Sequence, residues 1–308
     1  MRAMGFSEEE LFEQACLKIR EPKAKGGIVM RPEVVARRLR ALGYPVEEYT
    51  IDEDGYRRFV RDARYAEEFP SYYPHHLPQK SLEHYVASQL LGLKPGELYV
   101  DIASAASPVP AIYARLFGVR AFRQDLAYPH GVHGDMIGGD AAELPLPDGS
   151  VPAMALHCSF EHFEGDSDIG FIREAARVLT PGSGRLCIVP MYFAEDYSIL
   201  TDPVIAVSDR FVFEKEAVVN CQEGYRNRHG RYYDPEQCAR RIGENLSGLR
   251  LRLFRMTNIT QVVPGGYLFF AALFEKPAPA AGIGARMRRM AGWFSGRGRT
   301  GEPTTLKL

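Results

Sequence analysis

The 308-residue chain has no apolar run approaching the roughly 20 residues needed to span a bilayer, so a helical membrane span is not expected. Its first residues, MRAMGFSEEELFEQ, lack the apolar core of a signal peptide. Its five cysteines, Cys16, Cys158, Cys187, Cys221 and Cys238, include no C-x-x-C pair. That argues against a structural zinc site and for free thiols in a reducing compartment. The formal net charge of −1 supplies no bulk field for nucleic acid. No G-x-G-x-x-G follows the first apolar strand of the chain's alternating region, which disfavours a nicotinamide-dependent oxidoreductase. Internal repeats are absent. What is present is 45% hydrophobic and 25% charged residues, the composition of a globular protein, and a cytoplasmic location is expected.

Residues 1–80 read as an N-terminal helical arm. SEEELFEQACLKIR opens with a Ser7/Glu10 capping pattern, and RPEVVARRLRALG carries Pro32 near its start and Gly43 past its end. FPSYYPHHLPQKS reads as a loop and a lid candidate through Tyr72, Tyr73, His75 and His76; the helix LEHYVASQLLG follows it. From residue 81 strands alternate with helices, which predicts parallel βαβ units. Strands are expected at 97–102, about 119–124, about 152–157 and 185–190, then an antiparallel pair at 249–257 and 267–276. Residues 191–248 are too many for a connection and predict an acceptor cap inserted in the 81–276 domain. The tail, 277–308, has five arginines between 286 and 299 beside Trp293. A disordered tail is one reading, and a peripheral contact with an anionic inner-membrane surface is the other.

YVDIASAASPVP (99–110) runs from an apolar strand through Asp101 into a small-residue turn and a helix start at Ser107 and Pro108. Free backbone N–H groups collect at such a turn and suit the negative end of a ligand. Residues 138–193, GGDAAELPLPDGSVPAMALHCSFEHFEGDSDIGFIREAARVLTPGSGRLCIVPMYF, decide what turn it is. In the order and spacing of Gly139-Asp140-Ala141, Leu144 to Ser150, Glu161-His162, Arg173 to Leu179 and Pro181-Gly182, this segment resembles class I S-adenosylmethionine-dependent methyltransferases of the type 11 group. With its flanking strands the resemblance covers about 180 residues.

The resemblance implies an α/β, Rossmann-like, doubly wound sheet of seven mostly parallel strands with the last antiparallel. It also implies S-adenosyl-L-methionine as cofactor. Asp101 falls on the family's acid at the end of the first strand. Ala103, Ala105 and Ser107 stand where the family has three glycines, with Ser104 between them. Asp125 matches the acid that meets the ribose hydroxyls, and Asp140 with Ala141 the pair that reads the adenine. His157 and Cys158 end the fourth strand near the methyl group, and His157 is the candidate base for a hydroxyl acceptor. Glu161 and Asp166 read as first-turn helix charges, and His162 as a helix-start residue. His130, His133 and Asp135 fit no metal motif, and no metal is assigned.

The expected activity is methyl transfer to a small polar acceptor, such as a sugar hydroxyl of a bacterial glycan or glycolipid precursor. The stretch with Arg226, Arg228, His229 and Arg231 reads first as a solvated charged loop, and otherwise as a contact for an anionic form of the acceptor. The rival reading is a methyltransferase-like binding or scaffold module that has lost catalysis with its glycines.

Overall fold

The computed structural model describes residues 7–19 and 27–279; the expected tail contact at Trp293 lies outside them. Helix α1 (Glu8–Lys18) opens on the predicted capping box, with Glu10 N donating to Ser7 Oγ and Ser7 N to the Glu10 carboxylate. Then follow α2 (Pro32–Ala41), β1 (Val46–Tyr49), α3 (Glu53–Ala63), α4 (Tyr65–Glu68) and α5 (Leu77–Leu91). The alternating region holds β2 (Leu98–Asp101), α6 (Val109–Phe117), β3 (Arg120–His133), β4 (Met136–Gly138), β5 (Ala153–His157), α7 (Ser167–Val178) and β6 (Arg185–Val189). After it come β7 (Ser198–Thr201), α8 (Pro203–Ser208), β8 (Val218–Cys221), β9 (Gly230–Tyr232), α9 (Pro235–Arg241), β10 (Arg250–Met256), α10 (Ile259–Val262) and β11 (Phe270–Glu275).

The main sheet has the order β1-β10-β11-β6-β5-β2-β3-β4. β6, β5, β2 and β3 run parallel, and β11 is antiparallel to both of its neighbours, as a Rossmann-like sheet with an inverted late strand requires. Residues 153–157 show why the strands are buried on both sides. Ala153 and Ala155 face α3, α5 and α6, while Met154 and Leu156 face α2 and α7.

The strand count is eight, not the expected seven. β1, from the N-terminal arm, adds in parallel to β10. Its sequence, VEEY, carries no apolar alternation because charge holds it: Glu47 pairs with Arg252 at 2.7 Å and Glu48 with Arg255 at 2.7 Å. Two boundaries also move. α5 begins at Leu77, with Pro78 in its first turn, so the end of the expected 69–81 loop is helical. α6 begins one residue late: Pro108 is the cap, and Ser107 Oγ accepts from Val109 N. Residues 191–248 form their own three-stranded sheet, β8-β7-β9, with α8 and α9.

Candidate active site

The chain leaves β2 for β3 on one side and reaches β5 on the other, so the strand order reverses between β2 and β5. Open α/β sheets bind ligands outside the carboxyl ends of strands at such a switch point. A cleft of about 780 Å³ lies there, lined by Asp101, residues 102–107, His157, Cys158, Ser159, His162, Lys80, residues 68–74 and Asn227. Seven of the ten expected site residues thus converge: Asp101, Ala103, Ser104, Ala105, Ser107, His157 and Cys158.

Asp101 is buried at the end of β2, and its Oδ1 accepts from Tyr99 OH at 3.1 Å and from His157 Nδ1 at 2.9 Å. Its Oδ2 is buried with no protein partner. A buried carboxylate oxygen without a donor is costly, which marks it as a place for a ligand's donor. The His157 side chain is only 4% exposed and packs edge-on to His84, with its Nε2 3.5 Å from Tyr113 OH. Tyr113 OH in turn donates to His84 O.

The loop without glycine keeps a glycine-like backbone. Ala103 and Ala105 have φ of 50° and 44°, in the left-handed region. Each costs about 1–2 kcal/mol for a residue with a Cβ. The strain is held by hydrogen bonds: Ala103 N donates to Gln124 Oε1, Ser104 N to Gln124 O, and Ala105 N to Asp125 Oδ2 at 2.8 Å. Tyr128 OH closes on Ala105 O. Ser104 is buried and its Oγ has no partner, so like Asp101 Oδ2 it is an unsatisfied group among the residues of this cleft.

Asp125, Asp140 and Ala141 are not among the residues that line the cleft. Asp125 holds the loop through Ala105 N and its own strand through Ala127 N. Asp140 is exposed after β4 and caps its turn through Ala142 N, with Ala141 buried beside it. Gln124 is a residue that the sequence did not single out: besides holding Ala103 it donates to Gly139 O at 2.6 Å, tying the first loop to the turn after β4.

On the other wall α5 presents buried polar groups, which reading the helix from residue 82 concealed. Lys80 Nζ pairs with Glu83 Oε2 at 3.3 Å, and Lys80 also lies over the Tyr73 ring. Burial pulls the Lys80 pKa down, but the Glu83 carboxylate beside it holds the ammonium above its ordinary value. Burial pushes the Cys158 thiol up, so it is a thiol rather than a thiolate nucleophile. His84 is kept neutral by burial, its ring held by Tyr65 OH and Tyr72 OH. Tyr72 and Tyr73 line the cleft, whereas His75 and His76 do not.

Two of the three cap arginines, Arg228 and Arg231, are paired with acids of the protein, against the expectation that they meet an anion. Arg231 is fully buried between Asp168 at 2.9 Å and Glu214 at 2.6 Å. Arg228 pairs with Glu164 and Asp209. His162 does not serve α7: its Nδ1 donates to His229 O, docking the 160–162 turn on β9. Asp135 pairs with Arg123, His133 Nε2 meets His130 O, and no cluster able to hold a metal occurs among the described residues.

Residues 104–188 match the family model described as a methyltransferase domain. The matched stretch runs from the loop after β2 through β6, within the Rossmann-like part of the sheet. Solved structures of similar fold include the 1,6-didemethyltoxoflavin-N1-methyltransferase of Burkholderia thailandensis, with bound 1,6-didemethyltoxoflavin and S-adenosylhomocysteine. It is 12% identical with a TM-score of 0.46, over 76% of this chain and 94% of that one. Another is phosphoethanolamine N-methyltransferase 2 of Haemonchus contortus in complex with S-adenosyl-L-methionine, 13% identical, TM-score 0.40, over 70% and 60%. A third is the geranyl diphosphate C-methyltransferase of Streptomyces coelicolor, 13% identical, TM-score 0.40, over 80% and 97%. Comparison with curated protein sequences gives no significant match. No helix among the described residues is long and apolar enough to cross a membrane.

Proposed function

We propose that the chain is an S-adenosylmethionine-dependent methyltransferase that methylates a small polar acceptor in the cleft at the β2/β5 switch point. The observation that carries this reading is the pair of buried, partnerless oxygens, Asp101 Oδ2 and Ser104 Oγ, beside a loop held in glycine-like conformation. The methionine part of the cofactor carries an ammonium and a carboxylate. Asp101 Oδ2 would accept from the first, and the Ser104 hydroxyl would donate to the second. When bound, the cofactor supplies an activated methyl group whose transfer needs alignment more than acid–base chemistry. His157 is then a positioning residue, fixing the Asp101 carboxylate through Oδ1 so that Oδ2 faces the ligand.

Asp125 retains unshared lone pairs and is the residue we assign to the ribose, with Asp140 and Ala141 at the adenine end. His157, the candidate base for a hydroxyl acceptor, is engaged with Asp101, and Arg228 and Arg231, candidates for meeting an anionic one, are paired with acids of the protein. A silent binding module is the second reading, favoured by the bond that Ala105 N already makes to Asp125. Asp101→Asn tests the assignment: S-adenosylhomocysteine affinity measured by thermal shift should fall at least tenfold, and an unchanged affinity would remove Asp101 from the site.

A further inference from the structure

Cys158 and His162, which line the cleft, touch tyrosines from the cap that do not themselves line it. Tyr192 OH lies 3.1 Å from Cys158 Sγ. The Tyr192 ring is 5.0 Å from Tyr232 and stacks on Tyr267 at 6.3 Å. Tyr225 lies 6.2 Å from the His162 ring. Glu161 stands next to His162, its Oε1 3.7 Å from His162 Nε2. Glu161 is 4% exposed, and its Oε2 has no hydrogen-bond partner.

The charges around it do not neutralise it. Lys80 is paired with Glu83, and Asp101 and Glu83 are themselves acidic. His84 is neutral. The nearest basic group in ion-pair range among the described residues is His162, with Nε2 3.7 Å from Glu161 Oε1. A buried carboxylate oxygen without a protein donor is a place for a positive ligand's N–H. The surrounding rings point the same way, since the faces of tyrosines attract cations. A neutral hydroxyl acceptor would leave the charge uncompensated.

We propose that Glu161 with Tyr192, Tyr225, Tyr232 and Tyr267 forms the acceptor subsite, and that the acceptor is an aliphatic amine bound as its ammonium. The proposal rests on the methyltransferase reading above. Glu161 takes one N–H proton from the ammonium and frees the nitrogen lone pair. That pair forms the C–N bond to the methyl carbon while the S–C pair stays on sulfur, leaving a neutral thioether and an N-methylammonium product. Cys158, which lines the same cleft as Asp101, links it to this subsite through its contact with Tyr192 OH.

The test uses the full chain, with and without saturating S-adenosylhomocysteine. It is titrated calorimetrically with choline and with 3,3-dimethylbutan-1-ol, the uncharged carbon isostere. Choline mimics a fully methylated product and cannot itself accept a methyl group. Choline should bind at least tenfold tighter than the isostere. Glu161→Gln should remove that preference while S-adenosylhomocysteine affinity stays within threefold, and Tyr232→Leu should weaken choline without restoring an isostere preference. Equal binding of the two probes, or a preference that survives Glu161→Gln, would overturn the amine subsite. Absence of S-adenosylhomocysteine binding would instead overturn the cofactor reading, and the probe comparison on ligand-free protein would still decide the subsite.

Discussion

Replacing Asp168 with asparagine removes a charge but almost no volume from the joint between α7 and the cap. Asp168 is fully buried; Arg241 donates to its Oδ1 at 2.7 Å and its Oδ2 at 2.9 Å, and Tyr233 OH donates to Oδ2 at 2.6 Å. Arg231 lies 2.9 Å from the same Oδ2. Breaking a buried ion pair from one side costs about 3–5 kcal/mol, because the partner charge is left behind. Here Arg231 keeps Glu214, and Arg241 keeps the Gly165 carbonyl and Asp166, so the lower end, about 3 kcal/mol, is expected. Urea unfolding at pH 7 measures it.

Burial pushes the Asp168 carboxyl pKa up, but the Arg241 hydrogen bonds, with Arg231 and Tyr233, bring it below its ordinary value. The stabilisation is therefore complete above the unfolded pKa of about 3.9 and is lost only as pH falls through the lower folded value. The gap between wild type and Asp168→Asn should stay level from pH 8 to about 4 and close below that. A gap under about 1 kcal/mol at pH 7, or one already closing at pH 5–6, would refute the reasoning.

His229 is buried with both ring nitrogens unpartnered, and burial, then Arg231, brings its pKa down to about 3. The unfolded chain alone takes up that proton between about pH 6.5 and 3, so stability falls with pH there by up to about 1.4 kcal/mol per unit. His229→Asn should flatten that slope in urea melts taken from pH 7 to 4. Ala105→Gly should change stability by less than about 1 kcal/mol, since relief of left-handed strain offsets the added chain entropy. Ala105→Val, β-branched at a positive φ, should cost more than about 2 kcal/mol and abolish cofactor binding. If His157 positions Asp101, His157→Asn should keep S-adenosylhomocysteine affinity within threefold, whereas His157→Leu should lose at least tenfold; equal losses would refute the role.

What the sequence disclosed was decided locally. The β2–α6 turn, the capping box and the run from Asp140 to Val189 each carry their signal in neighbouring residues, and Asp101, Ala103 and Ala105 fell where the cleft is. What stayed hidden depends on partners far along the chain. β1 was not singled out within the N-terminal arm because the arginine facing Glu47 is 205 residues away. Lys80 and Glu83 sat in a helix whose buried side shows no apolar stripe, so nothing short of the cap and sheet around it explains their burial. Glu161 read as a first-turn helix charge because only the tertiary fold closes tyrosines around it. The cap arginines misled for the opposite reason: their acids, Asp168, Glu214, Glu164 and Asp209, lie outside the stretch that carries them.

The central claim is that the cleft at the β2/β5 switch point, with its alanine and serine loop, binds S-adenosylmethionine. Calorimetric titration of the full chain with S-adenosylhomocysteine, with a nicotinamide dinucleotide as control, tests it directly. One site per chain with micromolar affinity, about −8 kcal/mol, and no heat from the dinucleotide is the expected result. No heat and no thermal shift at millimolar S-adenosylhomocysteine would contradict it.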